Sequence, residues 1–159
     1  MSKIELNKIE LHYQEYGDGE DVVILLHGFL SSSKMWTNYY VPDLTKRYKV
    51  YAIDVRGHGN SNKVKSGCNL QQMADDIYQF VILKNIDECV LPGMSMGGAI
   101  AIQFATNFPD KLKSYSNESW TRNLIFKRFL LYFTYSVICC SKKIPFKTIF
   151  KKCFNKNIA

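Results

Sequence analysis

The sequence predicts an α/β protein: a mostly parallel sheet with helices on both faces. Three observations carry that prediction. Short apolar runs at 22–26, 48–53 and 89–91 read as strands buried on both faces, since a strand covered on one side only would alternate. Between them, apolar residues recur every three or four positions over 69–83, the period of a helix with one buried face. Strands and helices also alternate along the chain, which is how a parallel sheet fills its crossovers.

Each element follows in order. Residues 4–16 alternate, with Ile9, Leu11 and Tyr13 on one face and Glu10, His12 and Gln14 on the other. A polar break at Asn7-Lys8 divides them into two edge strands forming a hairpin, and Gly17-Asp18-Gly19 turns the chain. The run at 22–26 leads directly into His27-Gly28-Phe29. Serines 31–33 offer caps for a helix through Met35, Trp36 and Tyr39-Tyr40. The second buried strand ends at Asp54, and the helix at 69–83 carries Leu70, Met73, Ile77, Phe80 and Val81 on its apolar face. The third strand opens at Cys89. A glycine-rich turn and a small-residue helix over 99–108, closed by Pro109, complete the pattern.

Composition excludes several classes. The chain has 159 residues, 47% hydrophobic and 22% charged, with only 4 Pro and 9 Gly, so disorder, collagen-like repeats and low-complexity linkers are ruled out. Five scattered cysteines, with no C-x-x-C pair and no histidine at ligand spacing, argue against a zinc site or a disulfide framework. The first residues carry no apolar core of a signal peptide, so a cytoplasmic location is expected. The net charge of +7 is uneven. Up to Pro109 there are ten Lys/Arg against twelve Asp/Glu, and beyond it eleven against two. That break divides a core at 1–113 from a basic, aromatic tail at 114–159.

The chemistry concentrates in Gly93-Met94-Ser95-Met96-Gly97-Gly98, a G-x-S-x-G between an expected strand and an expected helix. A serine on so tight a turn takes a strained backbone, and the glycines two before and two after leave room for the neighbouring chain. Its hydroxyl then projects at the start of a helix, where developing negative charge is favoured. His27-Gly28-Phe29 ends the first buried strand, and the His27 side chain is read as bonding loop carbonyls rather than as a base. Asp54-Val55-Arg56-Gly57-His58-Gly59-Asn60-Ser61 is read as a structural loop in which Asp54 and Arg56 can pair and bond backbone. The glycines allow its sharp reversal, and His58 is likewise not read as the base.

H-G-F, D-x-R-G-H-G-x-S and G-M-S-M-G-G, in this order and spacing, resemble the α/β-hydrolase family in its esterase, lipase and haloperoxidase-like branch. The resemblance covers about residues 4–113 and implies a serine hydrolase without metal or organic cofactor. By motif match it implies Ser95 as nucleophile and the backbone amides of Phe29 and Met96 as the oxyanion hole. Each such donor is worth roughly 3 kcal/mol. The implied substrates are small acyl compounds: esters, lactones or thioesters.

Two departures stand against that pattern. The family's triad runs serine, acid, histidine along the chain, yet His12, His27 and His58 all precede Ser95, and only the carboxylates Asp110 and Glu118 follow it. The segment after Lys113 is polar where another buried strand is due. The expectation is a truncated N-terminal portion with weak or no turnover alone, retaining roughly the 10³–10⁴-fold advantage that an oxyanion hole and binding supply. Its third strand would then be an exposed, apolar sheet edge. The tail supports two readings. Its apolar stretch, with lysines after it, resembles the start of a helical cap over an acyl pocket. An apolar helix with basic flanks can also lie on a membrane surface, here through 124–156. A non-enzymatic fragment binding a membrane or partner through this tail is the alternative function. No nucleic-acid motif is present.

Overall fold

A computed structural model of the chain describes residues 2–113 apart from 7–8, 38–39 and 65–67. Both readings of the tail therefore lie outside the described residues, as do the absent-strand expectation and the polar break expected at Asn7-Lys8. Among the described residues the sheet has five strands: β1 (Ser2–Glu5), β2 (Glu10–Tyr16), β3 (Asp21–Leu26), β4 (Tyr48–Ile53) and β5 (Cys89–Val90). Their spatial order is β1-β2-β4-β3-β5. The expected hairpin is there, with β1 antiparallel to β2, and β2 is antiparallel to β4. The centre is parallel: β3 pairs with β4 from Asp21–Tyr48 to Leu26–Ile53, and with β5 on its other side.

The apolar character of β3 from Val22 and of β4 from Val50 has a direct cause. Successive side chains point to opposite faces, and both faces are covered. Ile24, Leu26, Tyr51 and Ile53 enter one apolar cluster, while Val23, Leu25, Val50 and Ala52 enter the other. The first cluster is roofed by α3 (Leu70–Leu83) and α4 (Met96–Asn107), through Met73, Ile77, Phe80, Ile100 and Phe104. The second is roofed by two single-turn helices, α1 (Lys34–Thr37) and α2 (Val41–Leu44), through Trp36, Val41 and Leu44. The Asn69 side chain caps α3 by accepting from the Gln72 N–H at 2.8 Å.

Two boundaries differ from the sequence reading. Among the described residues α1 ends at Thr37 and a second helix, α2, begins at Val41, with the Tyr40 N–H donating to Trp36 O at 3.1 Å; Pro42, which has no N–H to give, sits in the first turn of α2. Helix α4 starts at Met96, three residues before the expected 99, with Gly97 and Gly98 buried in its first turn. The edge at β5 also differs from expectation. Cys89 and Val90 are buried, and Leu112 covers that side through a parallel bridge to Cys89, with the Lys113 N–H donating to Cys89 O at 2.9 Å. Burial pushes the Cys89 thiol up to about 12, so it is no nucleophile at neutral pH.

Candidate active site

Three loops meet at the carboxyl ends of β3, β4 and β5, the end at which open α/β sheets place their ligands. The β3–β5 pairing continues past Val90: the Leu26 N–H donates to Pro92 O and the Met94 N–H to Leu26 O, both at 3.0 Å. This brings Gly93 beside Leu26 and delivers the chain to Ser95. Ser95 has φ 50° and ψ −111°, a left-handed conformation that side chains other than glycine rarely adopt. It is exposed, it stands immediately before α4, and its hydroxyl makes no capping bond to the helix. Met96 is the first residue of α4, so its N–H belongs to the set that has no partner within the helix.

Packing explains the flanking glycines. A Cβ on Gly93 would stand 2.2 Å from the Gly97 carbonyl, and one on Gly97 would stand 2.3 Å from Leu26 O. Gly28 is close as well: a Cβ there would stand 2.8 Å from Met94 Cε and 3.8 Å from Ser95 Cβ. The loop after β3 therefore lies against the serine turn, with Phe29 next along it and exposed.

His27 is fully buried and saturated. Its Nε2 accepts the Val55 N–H at 3.1 Å, which leaves Nδ1 to donate to Gly28 O at 2.7 Å. The side chain ties the loop after β3 to the loop after β4. Burial pushes its pKa down, against the pull of the Gly28 carbonyl. The folded protein thus favours neutral His27, and the stability this contributes is present above the unfolded value, about 6.5, and lost as pH falls below it. The stability gap between wild type and His27→Gln is expected to narrow between about pH 7.5 and about pH 5, read by urea unfolding at both. A gap that widened on acidification would contradict this assignment.

The loop after β4 corrects one pairing. Asp54 and Arg56 do not pair with each other. Asp54 accepts from the Ser33 N–H at 2.6 Å, the Asn60 N–H at 2.8 Å and His12 Nδ1 at 3.0 Å. Burial alone would push its carboxyl up, but the N–H bonds from Asn60 and Ser33 outweigh it and hold the group below the ordinary carboxylate range. Arg56 turns the other way, to Asp76 on α3, through Nε–Oδ2 and Nη2–Oδ1 contacts of 2.5 Å each. His12 is also not on a solvent face. It is buried, its N–H donates to Ser61 Oγ at 2.8 Å, and the Ser61 hydroxyl donates to Asp54 O.

The two glycines of this loop do have positive φ, 79° at Gly57 and 51° at Gly59. At Gly59 a Cβ would strike the Asp54 carboxylate. His58 donates its Nδ1–H to Arg56 O at 3.0 Å and packs its ring 5.3 Å from His27 and 5.6 Å, edge-on, from Phe29.

The structure therefore gathers Ser95, Gly28, Phe29, Met96, His27 and His58 at one end, and sends Arg56 to the helical layer. Asp76 and His12 escaped the sequence reading as partners. A carboxylate within the apolar stripe of α3, between Met73 and Phe80, was the available signal for the first. A cavity of about 460 Å³ at the opposite end of the sheet contains none of the expected site residues. Its lysines are drawn into pairs, Lys49 and Lys84 with Glu15 and Lys113 with Asp21.

A parallel sheet with a strained serine at a strand-to-helix turn is the hallmark of one class of protein, and the chain belongs to it: the family model of the α/β hydrolase fold matches residues 21–117. Among individual relatives, the chain is 35% identical over 100 residues to the soluble epoxide hydrolase of Corynebacterium sp. (strain C12), covering 63% of this chain and 34% of that protein. It is 29% identical over 112 residues to the 2-(acetamidomethylene)succinate hydrolase of Mesorhizobium japonicum, covering 70% and 40%. Among solved structures, Est816, described as an N-acyl homoserine lactone degrading enzyme, superposes with a TM-score of 0.64 at 29% identity, over 70% of this chain and 42% of its own. The chain thus spans well under half the length of these relatives. Among the described residues, no helix is long and apolar enough to cross a membrane.

Proposed function

We propose that this chain is the nucleophile-bearing portion of a serine hydrolase that cleaves an ester or another acyl bond. Ser95 Oγ attacks the carbonyl carbon, and the Phe29 and Met96 amides hold the resulting oxyanion. Collapse expels the leaving group and leaves an acyl-serine, which water then hydrolyses. The observation that carries this reading is the backbone of Ser95. A left-handed serine, exposed and uncommitted to capping, costs conformational energy that a merely structural turn would avoid with glycine. The relative described as degrading an N-acyl homoserine lactone, an internal ester, agrees in bond class.

No base stands where the triad would place it, since no histidine follows Ser95 in the sequence. His27 has both nitrogens engaged, His12 is buried against Asp54, and His58 gives its Nδ1–H to Arg56 O. The chain by itself is therefore expected to react slowly with a fluorophosphonate, and only at Ser95. Mass spectrometry of the labelled, purified chain, with Ser95→Ala as control, reads this directly. A folded sample that takes up no label over hours, or equal labelling of both proteins, would overturn the proposal.

A further inference from the structure

The turn that carries the Phe29 N–H is anchored at its two ends and strained in its middle. His27 fixes the first end, through Val55 and Gly28, and the Ser33 N–H fixes the second on Asp54. Between them the Ser31 N–H closes the turn on Gly28 O at a long 3.3 Å. Leu30, just before it, has φ 56°, a conformation that is costly for a branched side chain. Backbone strain of this kind persists where surrounding contacts over-determine it.

A side chain from the loop after β4 supplies such contacts. The His58 ring lies 5.3 Å from the His27 ring and 5.6 Å from that of Phe29, so it reaches the residues on both sides of Gly28. Its 70° angle to Phe29 is the edge-to-face arrangement that aromatic rings favour. His58 is itself fixed from behind. Its N–H donates to Val55 O at 3.0 Å, its Nδ1–H to Arg56 O at 3.0 Å, and its carbonyl accepts the Ser61 N–H at 3.1 Å.

We propose that His58 is a positioning residue: its ring braces the strained turn at 28–31 and thereby holds the Phe29 amide in place beside the serine turn. A donor displaced there by about 1 Å can cost about a hundredfold in rate. This deepens the hydrolase reading and rests on it only for the use to which the Phe29 amide is put.

Two variants of the full chain separate the ring from its hydrogen bond. His58→Asn keeps a donor for Arg56 O and removes the ring, whereas His58→Phe keeps a ring and removes the donor. The rate of fluorophosphonate labelling at Ser95 is expected to fall about tenfold in His58→Asn and to stay within about threefold of wild type in His58→Phe. NMR relaxation of the backbone amides reads the turn independently of the nucleophile. Order parameters of the Phe29, Leu30 and Ser31 amides are expected at about 0.85 in wild type and His58→Phe, and below about 0.6 in His58→Asn. The Ser33 amide, held by Asp54, is expected to stay rigid in all three. Rigid turn amides in His58→Asn would overturn the proposal. So would His58→Phe behaving like His58→Asn, which would assign the effect to the bond with Arg56 O, and so would equal loosening at Ser33, which would mark a general loss of structure. Labelling absent from wild type, with the amides responding as expected, removes the nucleophile and leaves the brace.

Discussion

Arg56→Leu is expected to lower the stability of the chain by about 3–5 kcal/mol, because it leaves a buried carboxylate without its counter-ion. The side chains of Arg56 and Asp76 are 7% and 4% exposed, and they meet in a two-pronged contact between the loop after β4 and α3. Burial pushes the Asp76 carboxyl up, and in the wild type Arg56 opposes that push. Without it the folded carboxyl rises further above its unfolded value. The variant's remaining stability is therefore largest at acidic pH and lost as pH rises through that folded value. The double variant Arg56→Leu/Asp76→Leu should recover most of the loss, since apolar groups of similar size replace a buried pair at little net cost. Urea unfolding of the three proteins measures all of this. A single-variant loss below about 1 kcal/mol would place the pair among solvated contacts.

Gly97→Ala is expected to cost about 3 kcal/mol, the upper end for an overpacked site, and to abolish Ser95 labelling in whatever fraction stays folded. The added methyl would stand 2.3 Å from Leu26 O, 2.7 Å from Leu26 C and 2.8 Å from His27 O. All three are backbone atoms of β3 and its exit, so no side-chain rotation relieves the collision. Either α4 lifts from the sheet or the turn at Ser95 opens. Gly57→Ala is the natural comparison. There the nearest atom is Cys68 Sγ at 3.5 Å, so only the positive φ resists, at about 1 kcal/mol. Thermal unfolding of the two variants side by side should separate them by several degrees. Equal shifts would mean that close approach is not what glycine serves at 97.

The parts of this fold legible in the sequence were those written in local patterns. Val23 and Ile24 are both apolar because both faces of β3 are covered, and Asn69 announces α3 because its side chain caps the first turn. The serine turn was legible because a glycine on either side of Ser95 answers a contact that recurs wherever a strand bends into a helix. What escaped notice were pairings set by the third dimension. Arg56 has an aspartate two residues away and another twenty away, and chain proximity favours the wrong one. His12 sits where alternation puts a solvent-facing residue, yet Asp54 and Ser61 from the loop after β4 bond to it and it is buried. Leu30 escaped for a different reason. Leucine carries no turn signal, so its left-handed backbone shows only in the structure.

The carboxylate of Asp54 holds three segments at once: the loop after β3 through Ser33, its own loop through Asn60, and β2 through His12. One buried carboxylate therefore ties the loops after β3 and β4 to each other and to β2. Phe29 and Leu30 stand exposed beside it, Phe29 with its ring edge-on to His58. A substitution at 30 therefore leaves all three anchors of Asp54 in place, whereas a substitution at 54 releases them together.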